Sequence, residues 1–354
     1  MDYGINIATS SDSWRVVRRA EELGYHYAWF YDTQLLSADV FVAMAAAAMK
    51  TSRIRLGAGV LIPSNRIPAV TANALASLNK LAPGRIDFGV STGFTARRSM
   101  GLPAIKLDEM RDHIRVVEGL LAGDTVEWET EGANRKIRFL NPDLGQINID
   151  DPIPTHISAL GPRGRRLTAE LGANWLTTMR NVDDAIGALN SMKEAWRDAG
   201  RNEDTLYSSA IAGGCVLAEG EPADSPRAKA QAGPHTSMIF HNLAEAAELG
   251  SIGYAVPPPL QAQFDVYREI YQSYEPADAR YLQNHRGHLM FLRPEEEANI
   301  SGEMIRMLSF TATAPELREG VRALKTAGYS QFAPHIRHGH DTMLEDWAEV
   351  FEGV

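Results

Sequence analysis

Short apolar runs alternate with amphipathic helical stretches along most of the chain. The runs are nearly continuous in apolar residues, which is typical of parallel strands covered on both faces. The predicted strands are residues 3–9, 25–32, 53–62, 85–93, 155–161, 173–179, 206–218 and 329–336, with 304–311 as a further strand candidate. A count of eight βα units predicts a single TIM (β/α)8-barrel domain over residues 1–354. No Gly-x-Gly-x-x-Gly follows the first strand, which argues against a dinucleotide-binding open sheet.

Two stretches interrupt this repeat. Residues 124–152 alternate in polarity and predict a small β excursion. Residues 219–303 predict an insertion with a Pro/Gly-rich opening stretch, 219–234, followed by helices near 236–250 and 259–273. Insertions in such barrels collect at the C-terminal ends of the strands, where the sites lie. We therefore expect the insertion to form a lid over the site.

Charge and composition exclude several classes of partner. The net charge of −10 argues against nucleic acid and anionic membrane surfaces as partners. No apolar run reaches the roughly 20 residues that span a bilayer, and the first residues lack the basic region of a signal peptide. The single cysteine, Cys215, allows no disulfide within the chain and fits a reducing compartment. We expect a cytoplasmic protein that acts on a small molecule.

The predicted strand ends carry small residues and glycines instead of catalytic carboxylates. Strand three ends at residues 57–60, strand four at 91–94 and strand five at 158–162. The paired carboxylates of a glycosidase are missing, and so is a His-x-His after the first strand. Glycines let a large flat ligand approach the backbone closely. The strand ends therefore favour a cofactor-sized ligand.

A basic turn follows the fifth predicted strand, in "ISALGPRGRRLTAELGANWL" (157–176). The apolar run stops at Gly161-Pro162, and a helix begins among arginines. Helix N-termini expose free N–H groups that bind anions, and arginine adds a bidentate donor. One interpretation is a phosphate site. The other is an ordinary strand–turn–helix with solvated arginines.

The segment 53–103 resembles the bacterial luciferase-like superfamily of flavin- and deazaflavin-dependent oxidoreductases, in its methylenetetrahydromethanopterin reductase-like branch. There the third strand ends Gly-x-Gly-Val-x-x-Pro, which matches Gly57 to Pro63. The next helix ends in a pattern close to "LAPGR", and Arg97 and Met100 to Pro103 follow the fourth strand as in that branch. The C-terminal "FTATAPELREGVRALKTAGYSQFAPHI" is also similar, so the resemblance covers roughly 1–218 and 304–354.

The resemblance implies a set of cofactor contacts. It places Asp32 beside the cofactor ring, although an N-cap role for Asp32 is the alternative. It implies a non-prolyl cis peptide at Gly59–Val60 and a close approach of the ring to the end of strand four. The implied phosphate site is the turn before the next helix, with Arg163 or Arg165 as donors. The full set of predicted cofactor-binding residues is Asp32, Gly59, Val60, Thr92, Gly93, Ser158, Gly161, Pro162 and Arg163.

The histidines of "NHRGH" (284–288) and "HIRHGH" (335–340) have spacings seen in metal sites. No carboxylate set accompanies them, so we predict no metal. His288, in the insertion, and His335, at the end of the last predicted strand, are instead the candidate catalytic residues.

Two departures bear on the reaction. Deazaflavin-dependent sugar-phosphate dehydrogenases of this superfamily carry a glutamate where Phe94 stands and an Asp-His where Asp32-Thr33 stands. Their acid/base pair is therefore missing. The favoured prediction is a monooxygenase that uses O2 and reduced FMN supplied by a separate flavin reductase. The alternatives are coenzyme F420-dependent hydride transfer and a non-catalytic flavin-binding relative. We further expect a homodimer.

Overall fold

Eight parallel strands close into a barrel in the computed structural model, which describes residues 1–248 and 256–354. In chain order the strands are β1 (Asp2–Ile7), β2 (Tyr27–Phe30), β3 (Arg55–Ala58), β4 (Ile86–Val90), β5 (Val126–Thr130), β6 (Ala133–Ile137), β7 (Thr155–Ser158), β8 (Asn174–Met179), β9 (Ser208–Ala212), β10 (Val216–Leu217), β11 (Ala312–Thr313) and β12 (Gln331–Ile336). The barrel order is β1-β12-β9-β8-β7-β4-β3-β2, closed by the pairing of β1 with β2. The predicted TIM barrel is confirmed.

Helices follow the barrel strands and cover the outside of the barrel. They are α1 (Trp14–Glu22), α2 (Val40–Ala48), α3 (Pro68–Leu81), α4 (Phe94–Arg98), α5 (Leu107–Leu121), α6 (Pro162–Leu171), α7 (Val182–Asp198), α8 (Pro226–Glu248), α9 (Gln261–Gln272), α10 (Tyr281–Asn284), α11 (Pro294–Glu297), α12 (Gly302–Leu308), α13 (Ala314–Ala327) and α14 (Met343–Phe351). Their apolar faces pack on the barrel in one large core, while Trp29, Leu176, Ile211 and Ala333 fill the barrel interior. Among the described residues, no helix is both long and apolar enough to cross a membrane.

The candidate strand 304–311 is wrong, because this stretch forms helix α12. The Ser301 hydroxyl caps the helix by accepting a hydrogen bond from the Met304 amide at 3.3 Å. Met304, Ile305 and Leu308 are buried on one side. A short apolar run fits a strand and a buried helix equally well, and here the serine cap decides in favour of the helix.

The predicted strand 206–218 is broken into two pieces. β9 belongs to the barrel, whereas β10 lies outside it and pairs with β11. The break falls at Gly213-Gly214. A Cβ at Gly214 would lie 2.0 Å from the Phe310 carbonyl oxygen, so only glycine permits this close approach of two backbones.

The insertion is more helical than its sequence suggests. α8 begins at Pro226 and runs through Pro234, so the helix predicted near 236–250 starts earlier than expected, inside the Pro/Gly-rich stretch 219–234. Ala228 and Ala232 are fully buried in the insertion core, and this packing outweighs the proline. Residues 249–250, at the end of the first predicted helix, lie outside the described residues, and α9 falls within the second, 259–273. In the 124–152 excursion, β5 and β6 form an antiparallel hairpin.

Candidate functional site

A cavity of about 230 Å³ lies at the C-terminal ends of the barrel strands. The barrel contributes the residues that end or follow each of its strands, and the insertion contributes side chains from α8 and from the segment after α10. The wall is formed by Asn6, Tyr31, Asp32, Thr33, Leu36, Ser37, Gly59, Val60, Ile62, Ser91, Gly93, Phe94, Thr95, Ala96, Ser158, Leu176, Thr178, Ile211, His235, Met238, His288, Leu289, Met290 and His335. The wall is mostly apolar, as in small-molecule sites in general.

Most of the predicted site residues meet in this cavity. Seven of them line it: Asp32, Gly59, Val60, Gly93, Ser158, His288 and His335. The other four, Thr92, Gly161, Pro162 and Arg163, are not part of the wall. Thr92 uses its carbonyl oxygen to accept a hydrogen bond from the Ile105 amide at 3.0 Å, which fixes the loop behind the cavity.

Two backbone features shape one side of the wall. The peptide bond between Gly59 and Val60 is cis, as predicted. Gly93 has φ +82°, and a Cβ there would lie 2.5 Å from the Ile62 side chain. A larger residue at Gly93 would therefore be strained and would push into the neighbouring loop. A Cβ at Gly59 would likewise lie 2.8 Å from the Trp29 side chain, so close packing of this side of the wall requires glycine at both positions.

Asp32 is an ion-pair residue. Its carboxylate is buried and lies 3.0 Å from the Arg66 guanidinium, and it also accepts hydrogen bonds from the Ile62 amide and the Asn65 side chain, both at 3.3 Å. The alternative N-cap role is wrong, because Asp39 caps α2 through the Phe41 and Val42 amides. Asp32 therefore ties the loop after β3 to the end of β2, and its charge is compensated.

Tyr31 and two histidines form one polar group in the cavity wall. The Tyr31 hydroxyl lies 2.5 Å from His335 Nδ1, and the His235 and His335 rings are 5.6 Å apart. Burial, with the nearby Arg337, lowers the pKa of His235 to about 3 and holds the pKa of His335 well below its usual range. Burial also raises the pKa of Tyr31. Both imidazoles and the phenol are therefore neutral near pH 7.

His288 faces the cavity from the insertion. Its Nε2 lies 3.3 Å from the Thr95 hydroxyl, and its Nδ1 lies 2.9 Å from Nδ1 of His241. His241 Nε2 lies 2.5 Å from a carboxylate oxygen of Glu296. Burial lowers the pKa of His288 well below its usual value, and the neighbouring His241 and His285 act in the same direction. His288 is therefore also neutral.

The predicted phosphate turn lies at the surface. Gly161 precedes α6, and Gly161, Pro162 and Arg163 are all exposed. Arg165 donates from its Nη1 to the Leu160 carbonyl oxygen at 2.6 Å, so this side chain is engaged in holding the turn. Ser158, three residues before Gly161, lines the cavity. The helix N-terminus thus follows directly on the cavity wall and leaves Arg163 facing solvent.

Several site residues have no signal that sequence reasoning could use. His235 and His241 lie on α8, and the part of α8 that carries His235 was not predicted. His241 contacts His288, which lies 47 residues further along the sequence, and Tyr31 contacts His335, which lies 304 residues further along. Tyr31 does have a signal, since it lies near the C-terminal end of the predicted strand 25–32, the general position of site residues in this fold.

The two histidine motifs behave differently. In "NHRGH" the rings of His285 and His288 lie 5.2 Å apart. In "HIRHGH", His335 enters the cavity whereas His338 is exposed. Within residues 1–248 and 256–354, no group of three or more His, Cys, Asp and Glu side chains is arranged to hold a metal ion.

The fold and the cavity define a (β/α)8-barrel protein with its site at the C-terminal ends of the strands. The family model of luciferase-like monooxygenases matches residues 7–331. The chain therefore belongs to the luciferase-like monooxygenase family.

Characterised relatives cover part of the chain. A 5,10-methylenetetrahydromethanopterin reductase of Archaeoglobus fulgidus is 30% identical over 199 residues, which are 55% of this chain and 58% of the relative. An F420-dependent glucose-6-phosphate dehydrogenase of Beutenbergia cavernae is 32% identical over 143 residues, or 38% of this chain and 40% of the relative. The matched segments thus span 58% of the first relative's length and 40% of the second's.

The structural similarity covers more of the chain than the sequence similarity does. The structure of the coenzyme F420-dependent tetrahydromethanopterin reductase from Methanopyrus kandleri superposes with a TM-score of 0.70, covering 98% of this chain and 97% of the other at 20% identity. At 20% identity this similarity shows the shared fold alone.

Proposed function

We propose that the protein is an oxidoreductase that binds coenzyme F420 in the cavity and transfers a hydride to or from a small organic substrate. The observation that carries the proposal is the buried Oδ1 of Asn6, which has no hydrogen-bond partner among the described residues and lies in the wall of a largely apolar cavity. The F420-dependent relative supports this cofactor over FMN. The proposal thus departs from the favoured sequence prediction of an FMN monooxygenase with a partner flavin reductase.

The residues present fit such a cofactor. Asn6 lines the cavity, and its Oδ1 is buried with no hydrogen-bond partner among the described residues. An orphaned acceptor of this kind fits a ring that offers an N–H group. Gly59, Val60, Gly93 and Ser158 would contact the ring, and the N-terminus of α6 with Arg163 would hold the phosphate. When bound, the deazaflavin ring supplies the hydride donor or acceptor.

The chain's own contribution is positioning, exclusion of water and proton handling. Leu289, Met290 and Met238 from the insertion cover the apolar side of the cavity. His288 and His335 present imidazole groups to the substrate, and both are neutral near pH 7. A neutral imidazole can accept or donate one proton, which is the task that hydride transfer at an alcohol or a carbonyl leaves to the protein.

A monooxygenase using reduced FMN is the second candidate. The observation that favours it is the cavity wall, in which Asp32 is the one carboxylate and is already paired with Arg66. An apolar, water-excluding wall suits oxygenation as well as hydride transfer. The third alternative, a flavin-binding relative without turnover, shares the same cavity.

An anaerobic absorbance titration separates these candidates. The purified protein is mixed with F420 and with FMN, each oxidised and reduced, and small alcohols and carbonyl compounds are then screened for reduction or oxidation of the bound cofactor. We expect binding of F420 and hydride transfer without oxygen. Binding of reduced FMN alone, with oxygen consumption on addition of substrate, would replace the proposal by the monooxygenase. Binding without any turnover would favour the third alternative.

A further inference from the structure

A chain of buried polar side chains leads from the cavity into the insertion. It begins at Thr95 and His288 and passes to His241 and then to Glu296. His241 and Glu296 are each only 1% exposed. Glu296 is also held by Arg293, whose Nη2 lies 2.6 Å from one carboxylate oxygen and whose amide lies 3.0 Å from the other.

The positions of the hydrogens along this row of side chains follow from the ionisation of Glu296 and the neutrality of the two histidines. Although burial opposes ionisation, the hydrogen bonds from His241 and Arg293 hold the pKa of Glu296 at about 2. An ionised carboxylate only accepts, so His241 Nε2 must carry a hydrogen. Burial lowers the pKa of His241, and the ring is therefore neutral with a bare Nδ1.

The tautomer of His288 then follows from the tautomer of His241. Because His241 Nδ1 is bare, the hydrogen between the two rings must belong to His288 Nδ1. His288 is neutral, so its Nε2 is bare and accepts the hydrogen bond from the Thr95 hydroxyl. The lone pair of Nε2 lies at the cavity wall.

We propose that His241 and Glu296 are positioning residues for His288, which they fix in the tautomer whose Nε2 accepts from the cavity-lining Thr95 hydroxyl, so that Nε2 is the base that receives a substrate proton through that hydroxyl. The inference rests on the proposed function insofar as the substrate is a proton-bearing group, such as a hydroxyl, that loses a hydride in the same reaction.

Every proton moved in this step has a donor and an acceptor among the substrate and these side chains. The substrate O–H bond breaks as its proton passes to the Thr95 hydroxyl oxygen, and the hydroxyl proton that Thr95 gives up forms an Nε2–H bond on His288. The Nδ1 proton of His288 passes to His241 Nδ1, and the positive charge ends on an imidazolium beside the Glu296 carboxylate. If the proposed cofactor is bound, it would supply the hydride acceptor that the substrate carbon needs to become a carbonyl carbon. Moving the charge toward a carboxylate stabilises the protonated base.

Other charged groups around the two rings act against protonation or are themselves paired. His285, His235 and Arg293 face His288, and His285, Arg293 and the neutral Tyr267 face His241. His285 has its own partner, since its Nε2 lies 2.6 Å from Glu245, whose other oxygen lies 3.3 Å from Arg98. Glu296 is thus the carboxylate that can offset a positive charge on the His288–His241 pair.

The tautomer of His288 can be read directly by NMR. We would label the histidine imidazole nitrogens with 15N and record two-bond proton–nitrogen correlations, assigning His288 through the His288→Gln variant. The spectra need neither cofactor nor substrate. We expect a hydrogen on Nδ1 of His288 and a bare Nε2, with the opposite tautomer for His241. A hydrogen on Nε2 of His288 would overturn the proposal.

Two variants at His241 test its role. In His241→Gln the amide oxygen can accept from His288 Nδ1 and the amide nitrogen can donate to Glu296, so we expect the His288 tautomer to be retained. In His241→Leu neither bond exists, and we expect a mixture of both His288 tautomers.

A matched control is Glu245→Gln, which removes the carboxylate from His285 and should leave His288 unchanged. Retention of the single tautomer in His241→Leu would overturn the proposal. If that variant does not fold, the wild-type spectrum and His241→Gln still decide, because loss of the Nδ1–H tautomer in His241→Gln would also contradict it. A failure to bind F420 would leave these spectra unaffected, so the two proposals fail separately.

Discussion

At the scale of single residues, the Asp32–Arg66 pair joins a cavity-lining carboxylate to a half-buried guanidinium, and its loss should be costly. The Asp32 side chain is 4% exposed and that of Arg66 is 19% exposed. Removal of one partner leaves a buried charge without compensation, so we expect Arg66→Met to lower the free energy of unfolding by about 2–3 kcal/mol. Urea denaturation measures this change.

The control for that prediction is the exposed pair of Arg18 and Glu22. Arg18→Met should change the stability by less than about 0.5 kcal/mol, because exposed helix pairs contribute little. Adding Asp32→Asn to Arg66→Met should recover part of the loss, since the buried charge is then gone. Equal losses in the single and double variants would show that the pair does not matter electrostatically.

His235 gives a pH-dependent prediction. Its pKa in the folded protein is about 3, below the ordinary 6.5, so the unfolded chain binds one more proton between these values. The contribution of His235 to stability is therefore present above pH 6.5 and is lost as the pH falls toward 3. We expect His235→Gln to make the decline of unfolding free energy between pH 5.5 and 4 shallower by about 1.4 kcal/mol per pH unit.

Urea unfolding at a series of pH values measures this slope. The comparison variant is His338→Gln, because the His338 side chain is exposed, whereas that of His235 is buried. Its slope should match that of the wild type. A slope for His235→Gln that is indistinguishable from the wild type would mean that His235 is accessible to protons in the folded state.

At the scale of elements, helix α6 carries a prediction about the cofactor phosphate. Arg163 is exposed at the first turn, whereas Arg165 is bound to the Leu160 carbonyl. A charge-assisted hydrogen bond contributes roughly 1.5–3 kcal/mol, so Arg163→Ala should weaken binding of F420 by about tenfold or more. Fluorescence titration at two salt concentrations measures the affinity.

A phosphate-free deazaflavin should bind Arg163→Ala and the wild type alike. Arg165→Ala, by contrast, should loosen the turn and affect both ligands equally. If Arg163→Ala binds both ligands normally, Arg163 is only a solvated surface residue and the phosphate lies elsewhere.

The elements also show where sequence reasoning succeeds. The barrel strands were predictable because buried parallel strands are apolar throughout and are separated by regular helices. α12 was missed because a short apolar run carries no period of its own, and the start of α8 was missed because Pro234 and the neighbouring glycine argue against a helix. Burial in the insertion core outweighs the proline of α8, and the Ser301 cap together with burial in the same core decides for the helix in α12.

At the scale of the whole molecule, the site also has a part that could be predicted from the sequence and a part that could not. The positions of Asp32, Gly59, Gly93 and Ser158 follow from strand order and from the family pattern. The His288–His241–Glu296 chain could not be predicted, because it depends on how the insertion folds back on itself. The sequence carries no local signal for a contact between segments that lie 47 and 55 residues apart.

We propose that the protein is a homodimer through α2 and α3, which pack on each other. Val42 and Met49 at α2 and Ile67 and Val70 at α3 are large apolar residues between 49% and 65% exposed. Clustered exposed apolar side chains mark interaction surfaces. We expect a dimer by sedimentation velocity and a monomer for the Val42→Asp/Val70→Asp variant.

The control for the dimer is Leu140→Asp, since Leu140 is 78% exposed but lies beyond the β5–β6 hairpin. It should leave the dimer intact. A wild-type protein that sediments as a monomer at micromolar concentration would contradict the proposal.

The central claim, that coenzyme F420 binds in the cavity at the strand ends, is tested most directly by the F420 affinity of Ser158→Phe. Ser158 lines the cavity, so a phenyl group there fills space that the ring needs, whereas Ser191→Phe on α7 adds the same group away from the cavity wall. The account predicts that wild type and Ser191→Phe bind F420 alike in a fluorescence titration and that Ser158→Phe binds at least about tenfold more weakly. Unchanged F420 affinity in a folded Ser158→Phe, or no binding by the wild type, would contradict it.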